Sequence, residues 1–563
     1  MEARKIDRTI FKKFRFTDGI LLCALTFVGG FYEYISCILS AAMVFWLLLR
    51  LADGKTIQIE KGLYLWTVAA LCLGYGITCL WAVDRGMAFV GFLKYLPLGL
   101  YGICLWQNGE DGKILQVLPY FGLVCIGVSA LGMQFPRLTG FFSVDGRIAG
   151  FFQYPNTFAI FLLVCQLLVM KKEEKTVWDY LIVLALTGGI LYSGSRVVFV
   201  VFLLSNAAML FVCLPKKSRI PLALSILGLL LAGFLLALDE HSVLHRYQIA
   251  SLLKTSLVDR LLYMLDSLPL LLKYPFGMGY MGYYYVQHSV QTGMYATTYV
   301  HNDFLQVFLD IGWIPGILLI AALIRWFLKK SIPAGDKVVA GALCFHALLD
   351  FDLQFMAMGM LLLLLTHRTS GEKQIVIKNT FSVKAILTVV LALSLYMATA
   401  LGLAHIGQRT LADTLYPYNT ANMLVMLEDA EDMKQANELA ERILRQNQKY
   451  YPPYGVKAKY CYSRGDFAGL IENRNKGFQA NPFGYGQYQE YCEMLISGIE
   501  AYAQAGDWES VKICQQELLA AQAKLAANAH RLSHLGKRLS VQPITELSDS
   551  VQAYIAGLGG DGQ

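Results

Sequence analysis

Charge is scarce in this chain of 563 residues: 16% are Asp, Glu, Lys or Arg, while 56% fall in the set AVILMFWYC. Soluble domains run near a quarter charged and half apolar, so the shortage excludes an ordinary soluble enzyme. The basic excess is also small, 48 Lys and Arg against 41 Asp and Glu for a formal +7. It forms no basic face or stripe of the kind that holds nucleic acid. There is no Walker A loop, hence no sign of direct ATP coupling, and no His, Cys and carboxylate cluster with metal-ligand spacing. Gly277-x-Gly279 follows no strand and reads as a turn, not a dinucleotide fingerprint. The twelve cysteines include no C-x-x-C pair. Nine of them (Cys23, Cys37, Cys72, Cys79, Cys104, Cys125, Cys165, Cys213 and Cys344) sit in apolar runs as small core residues. Cys461, Cys492 and Cys514 are the remainder, and nothing in their spacing argues for a disulfide. Asp350-Phe351-Asp352 resembles a metal-binding pair but falls at a tight junction between two apolar runs.

What the chain has instead is long apolar runs. A spanning helix needs roughly 20 mostly apolar residues, and about thirteen stretches qualify, near 18–33, 34–51, 62–82, 86–106, 114–134, 156–170, 177–192, 196–214, 219–238, 303–328, 336–351, 354–367 and 383–404. The basic start, MEARKIDRTIFKKFRF, has no small-residue cleavage site and reads as a retained cytoplasmic tail over 1–17. Lys and Arg then recur in alternate loops: Arg50 to Lys61, Lys113, Lys171 to Lys175, Lys216 to Arg219, Lys329 to Lys337, and up to Lys384. The positive-inside rule puts these in the cytoplasm. The expectation is an all-α, polytopic membrane bundle over 18–404, with an outer loop at 239–302 and an extracytoplasmic C-terminal domain at 405–563.

Two outer segments carry patterns of their own. Leu244, Leu252, Leu253, Leu257, Leu261, Leu262, Leu265 and Leu268 recur at helical spacing, with charged residues on other faces. This predicts an amphipathic helix suited to the outer membrane interface. Beyond 404 the sequence turns charged and Ala-rich. Prolines 417, 452 and 482 recur at about 30–35 residues, close to the 34-residue period of tetratricopeptide helix pairs.

Arginines on the outward side need a reason, since the insertion bias puts Lys and Arg inside. Arg196, in Ser193-Gly194-Ser195-Arg196, opens a span where the helix dipole disfavours a cation. A bound anion would relieve that conflict. Arg260 has Ser256, Leu257, Tyr263 and Met264 at its i±3 and i±4 positions, none a carboxylate. Arg147 has Asp145 close by. For all three the bland alternative is a lipid phosphate or a surface ion pair. Asn302 or Asp303 makes an N-cap for the next span. His301 before them is an imidazole at the outer boundary, able to take a proton near neutral pH.

Taken in order, Gly146-Arg147, Gly150-Phe151-Phe152-Gln153-Tyr154-Pro155-Asn156, Ser193-Gly194-Ser195-Arg196, Arg260, Tyr274-Pro275-Phe276-Gly277-Met278-Gly279 and His301-Asn302-Asp303-Phe304-Leu305 with Gly312 beyond resemble the O-antigen ligase and polymerase superfamily. The resemblance covers roughly 15–405. It implies a membrane glycosyltransferase that moves a glycan from an undecaprenyl-diphosphate donor to an acceptor glycan, lipid or protein, with no metal, cofactor or nucleotide sugar. Arg196 and Arg260 would grip the diphosphate, His301 would act as general base or as a further phosphate contact, and Arg147 and Asn302 would line the cleft. The repeat-like tail would hold an acceptor or protein partner. Two other classes stay open. A transporter or flippase of a lipid-linked or anionic solute predicts charges inside spans, of which Glu33 and Lys94 are the main candidates, and a scaffold would merely display the tail.

Overall fold

The computed structural model describes residues 14–107, 113–213, 219–221, 223, 226–228, 230–231, 256–367 and 374–560. The protein is an all-α, multi-pass membrane protein. Among the described residues, five helices are long and apolar enough to cross a membrane: Glu33–Ala52, Arg85–Trp106, Ile114–Gly132, Arg196–Cys213 and Phe381–His405. Shorter apolar helices include Leu63–Thr78, Pro155–Met170, Val177–Tyr192 and Trp313–Leu328. The chain divides into two compact units, one within Met1–Ile77, Val90–Lys254 and His301–Ile406, the other within Thr78–Phe89, Thr255–Val300 and Gly407–Gln563.

The first unit is built around helix Pro155–Met170, every residue of which is buried. A helix apolar on all sides has no solvent face to offer and takes the centre. Pro155 at its first position suits a helix start. Helices Ile114–Gly132, Val177–Tyr192, Arg196–Ala208 and Ala334–Ala347 pack round it. Its one mid-helix polar group, Gln166, accepts a bond from Asn206 and donates to Thr187 Oγ1 at 2.8 Å. Elsewhere in the unit, strand Ile57–Glu60 pairs antiparallel with Gln374–Ile377, Ile57 opposite Ile377.

Three breaks shape this unit. The apolar run at 18–51 ends its first helix at Thr26, and Gly29 and Gly30 turn the chain at φ 61° and 70° before Glu33–Ala52 begins. A Cβ on Gly29 would lie 2.6 Å from the Phe152 ring. Gly29→Ala therefore combines a disfavoured left-handed backbone with overpacking. It is expected to lower stability by about 1–3 kcal/mol, read as a lower thermal midpoint of the detergent-solubilised protein, while Gly54→Ala, where the space is open, falls by less. The second break corrects the expectation of one span over 303–328. Gly312, at φ 87°, ends helix Asp303–Ile311 and starts Trp313–Leu328. The third is the hairpin of Ser143–Val144 with Arg147–Ile148, turned by Asp145 and Gly146 at φ 51° and 73°. A two-residue Asp-Gly loop with both φ positive is the favoured type I′ hairpin turn.

In the second unit, helices Thr420–Glu428, Met433–Gln446, Phe467–Ala480 and Trp508–Ala527 start at Asn419, Asp432, Asp466 and Asp507. Each of those side chains accepts the backbone N–H three residues on, as N-caps do. Helices adjacent in sequence pack on one another, and Phe478 stacks on Tyr488 with ring centroids 3.9 Å apart. Cys461, Cys492 and Cys514 form no disulfide, and neither do the other nine cysteines. Residues 78–89 belong here too. Buried Asp84 accepts bonds from the Met87 N–H, Thr420 Oγ1 and Asn447 Nδ2, and the Gly86 carbonyl accepts the Tyr416 hydroxyl at 2.9 Å.

Of the expected amphipathic helix, the part from Ser256 to Lys273 is helical, and positions 244–255 lie outside the described residues. Its buried face is mixed: Leu262 and Leu270 are buried beside Arg260, Asp266 and Ser267, while Leu257, Leu261, Leu265, Leu268 and Leu272 are exposed. Asp266 accepts from Thr292 N–H at 2.8 Å, Thr292 Oγ1 at 2.7 Å and the Tyr295 hydroxyl at 3.0 Å.

Candidate functional site

The Asp-Gly turn delivers Arg147 to two acceptors in the first unit. Its Nε donates to the Ser193 carbonyl at 2.6 Å and its Nη2 to Asn156 Oδ1 at 2.7 Å. Ser193 opens the loop that leads to Arg196, the first residue of helix Arg196–Ala208, whose N-cap is Ser195. Arg147 thus ties together two of the stretches singled out in the sequence, and the nearby Asp145 is a turn residue.

From Asn156 the network runs inward. Asn156 Nδ2 donates to Asp350 Oδ2 at 2.8 Å, and the Tyr154 hydroxyl donates to Asp350 Oδ1 at 3.0 Å. Thr157 donates to Asp352 Oδ1 at 2.8 Å, and His346 Nδ1 meets Asp352 Oδ2 at 2.5 Å. Asp350, Asp352 and His346 are fully buried. The Asp350-Phe351-Asp352 pair is therefore taken up by hydrogen-bond donors, and among the described residues no group of three His, Cys, Asp or Glu side chains is arranged to hold a metal ion. Buried carboxylates without such partners would be costly.

The same turn reaches His301 and its neighbours. His301 meets Phe351 edge-to-face, ring centroids 5.0 Å apart, and Phe351 stacks on Tyr154 at 4.7 Å. His301 sits at φ 55° and Gln153, before Tyr154, at the same value. A non-glycine residue held in the left-handed region is strained, and such strain gathers at functional sites. Asn302 is the N-cap of the next helix, its Oδ1 accepting the Leu305 N–H at 2.9 Å. Asp303 is buried and accepts from the Leu353 N–H at 2.8 Å and from Gln354 Nε2 at 3.3 Å. Gln354 Oε1 in turn accepts the Tyr95 hydroxyl. Arg147, Asn156, the Ser193 loop, His301 and Asp303 are thus anchored to one another through residues 350–354.

Lys94 and Glu33 lie in the same unit. Lys94 is fully buried, 3.7 Å from Glu33, with its ammonium 4.8 Å from the centre of the Phe31 ring. The pair offsets the cost of a charge inside the membrane unit. His346, Asp350, Asp352 and Asp303 were not identifiable as a network from the sequence. The signal was present as carboxylates between apolar runs, which demand partners wherever they are buried.

Arg260 is placed in the other unit, on helix Ser256–Lys273, 8% exposed. Burial pushes the pKa of the neighbouring Asp259 up, against the pull of the Arg260 charge. Burial likewise raises the Tyr263 hydroxyl to about 12. The structure thus groups Arg147 with His301, Asn302 and the loop that precedes Arg196, and it describes Arg260 separately.

Neither the curated proteins nor the solved structures yield a match to this chain. The family model described as O-Antigen ligase matches residues 181–321, a stretch that takes in Arg196, Arg260 and His301 to Asp303, and through it the chain is similar to membrane proteins that process glycans as O-antigen ligases and polymerases do.

Proposed function

We propose that the protein is a cell-envelope glycan ligase or polymerase, transferring a glycan from an undecaprenyl-diphosphate donor to an acceptor on the outer face of the cytoplasmic membrane. The observation that carries this reading is the joining of Arg147, the loop before Arg196 and His301 by one network of hydrogen bonds and ring contacts, with the last two inside the stretch that matches the family. Arg196 at a helix N-terminus offers charge-assisted bonds to a diphosphate. It would stabilise the charge that grows on the leaving lipid diphosphate as the sugar–phosphate bond breaks. His301 would take the proton of the acceptor hydroxyl as the new glycosidic bond forms, and Asn302 and Arg147 would line the cleft. Arg260 keeps the diphosphate role that the resemblance assigns to it. The exposed leucines of helix Ser256–Lys273 suit a helix lying in the membrane interface. The helical tail offers a surface for an acceptor or protein partner, in the manner of tetratricopeptide repeats.

The test is reconstitution of the purified protein with a labelled undecaprenyl-diphosphate oligosaccharide, with His301→Ala alongside. A ladder of lengthening glycans identifies a polymerase, and a single block added to a second acceptor identifies a ligase. Movement of the labelled lipid across the bilayer with no covalent product would replace the enzyme by a transporter.

A further inference from the structure

The helices of the first unit enclose a second cleft, far from His301. Helix Trp313–Leu328 has 16 residues and so runs about 24 Å. The cleft lies at its Leu328 end, whereas His301 and Asn302 precede the helix that leads into its Trp313 end. The cleft takes in about 930 Å³ with the space at its open mouth included.

Its wall and its rim differ in chemistry. Val68, Leu71, Leu319 and Leu323 form an apolar wall. At the rim, Arg325 and Lys329 stand with His367, and Glu60 is the one carboxylate on the lining. The Lys329 ammonium makes no ion pair among the described residues. Trp326, 7% exposed, also lines the cleft, and its indole N–H has no hydrogen-bond partner among the described residues. A buried donor with no acceptor is rare in a folded protein and asks for one from outside the chain. An acceptor beside a lysine and an arginine is best supplied by an anionic oxygen, and a leucine-lined wall leading away from it suits a hydrocarbon chain. Lys61, Lys329 and Lys330 adjoin this end, and basic residues at a membrane face attract anionic headgroups.

We propose that this cleft binds an anionic glycerophospholipid of the adjacent leaflet, its phosphate on Lys329 and the Trp326 N–H and one acyl chain along Val68, Leu71, Leu319 and Leu323. The site is separate from the proposed transfer chemistry and does not depend on it. The lipid would add to the contacts among three helical segments, Leu63–Thr78, Trp313–Leu328 and Met356–Thr366, where the Tyr64 hydroxyl already donates to the Leu363 carbonyl and Thr67 Oγ1 to the Leu318 carbonyl, each at 3.3 Å.

Full-length protein in a neutral detergent is labelled with phosphatidylglycerol bearing a photoactivatable acyl chain, and the adducts are mapped by peptide mass spectrometry. Adducts are expected within 63–71, 319–329 and 362–367. Unlabelled phosphatidylglycerol should compete them away, whereas phosphatidylcholine and inorganic phosphate should not. Lys329→Gln should cut the yield by about fivefold, the weight of one charge contact near a membrane surface, and Trp326→Phe should lower it as well. Equal competition by phosphatidylcholine, competition by inorganic phosphate, or adducts spread evenly over other helices would each overturn the site. The competition on the parent protein decides the matter even where a variant folds poorly.

Discussion

Arg196→Ala is expected to lower glycan transfer by about 10²–10³-fold, the usual loss when a group that stabilises transition-state charge is removed, in protein that inserts and unfolds as the parent does. The two halves of that expectation come from the same place in the fold. Arg196 is the first residue of its helix, and the cap is supplied by Ser195, whose side chain accepts the Val198 N–H. The helix start therefore keeps its cap when the guanidinium is lost, and a cation at the positive end of the dipole contributes nothing favourable to the helix itself. A stability effect and a transfer effect are in this way separable at one position. Arg260→Ala is expected to abolish transfer as well, with membrane insertion unchanged. Near-normal turnover in either variant removes that arginine from the site. The readout is product formed from labelled undecaprenyl-diphosphate oligosaccharide, set beside the amount of protein in the membrane fraction.

Asp350→Ala should behave in the opposite way, losing stability first and transfer as a result. The Asp350 carboxylate accepts from Tyr154, Asn156 and the Phe351 N–H and is fully buried. Its removal takes the acceptor from three donors at about 1–3 kcal/mol each, so a loss of at least about 3 kcal/mol is expected, visible as a large drop in the thermal midpoint. Asn156 also receives Arg147 Nη2 through its Oδ1, and a loosened Asn156 frees Arg147 from its place. Asp350→Ala that unfolds like the parent would show that the network does not hold the unit together. Unchanged transfer despite lowered stability would show that Arg147 does not need it.

Much of this architecture was legible in the chain. Low charge and long apolar runs gave the all-α membrane class, and the runs near 86–106, 114–134, 156–170 and 177–192 each coincide with a helix. Asn302 as N-cap and the turn at Gly277 and Gly279, both with positive φ, followed from local chemistry. The break at Gly312 did not, because the apolar pattern runs straight through it and only the backbone angle marks the interruption. Of the candidate site, the sequence offers the arginines and the histidine, as residues expected on the outward side. The inner part of that site was not legible. Asp350 is 194 residues from the Asn156 it bonds, and no periodicity reports a partner at that distance. Arg260 is buried on a helix that leaves five leucines exposed, and a hydrophobic pattern alone does not say which face is covered.

Asp84 and its partner Thr420 are 336 residues apart, and this separation puts a delay into synthesis. At the pace of translation, about 5–20 residues per second, roughly 15–70 s pass before the partner exists. Through that interval the short segment at 78–89, with Leu80 and Trp81 already made, has none of the tail contacts that later enclose its carboxylate. A cell making this protein must therefore hold that segment without its partners, and a ribosome stalled anywhere before residue 420 leaves the second unit unfinished, however well the earlier helices have packed.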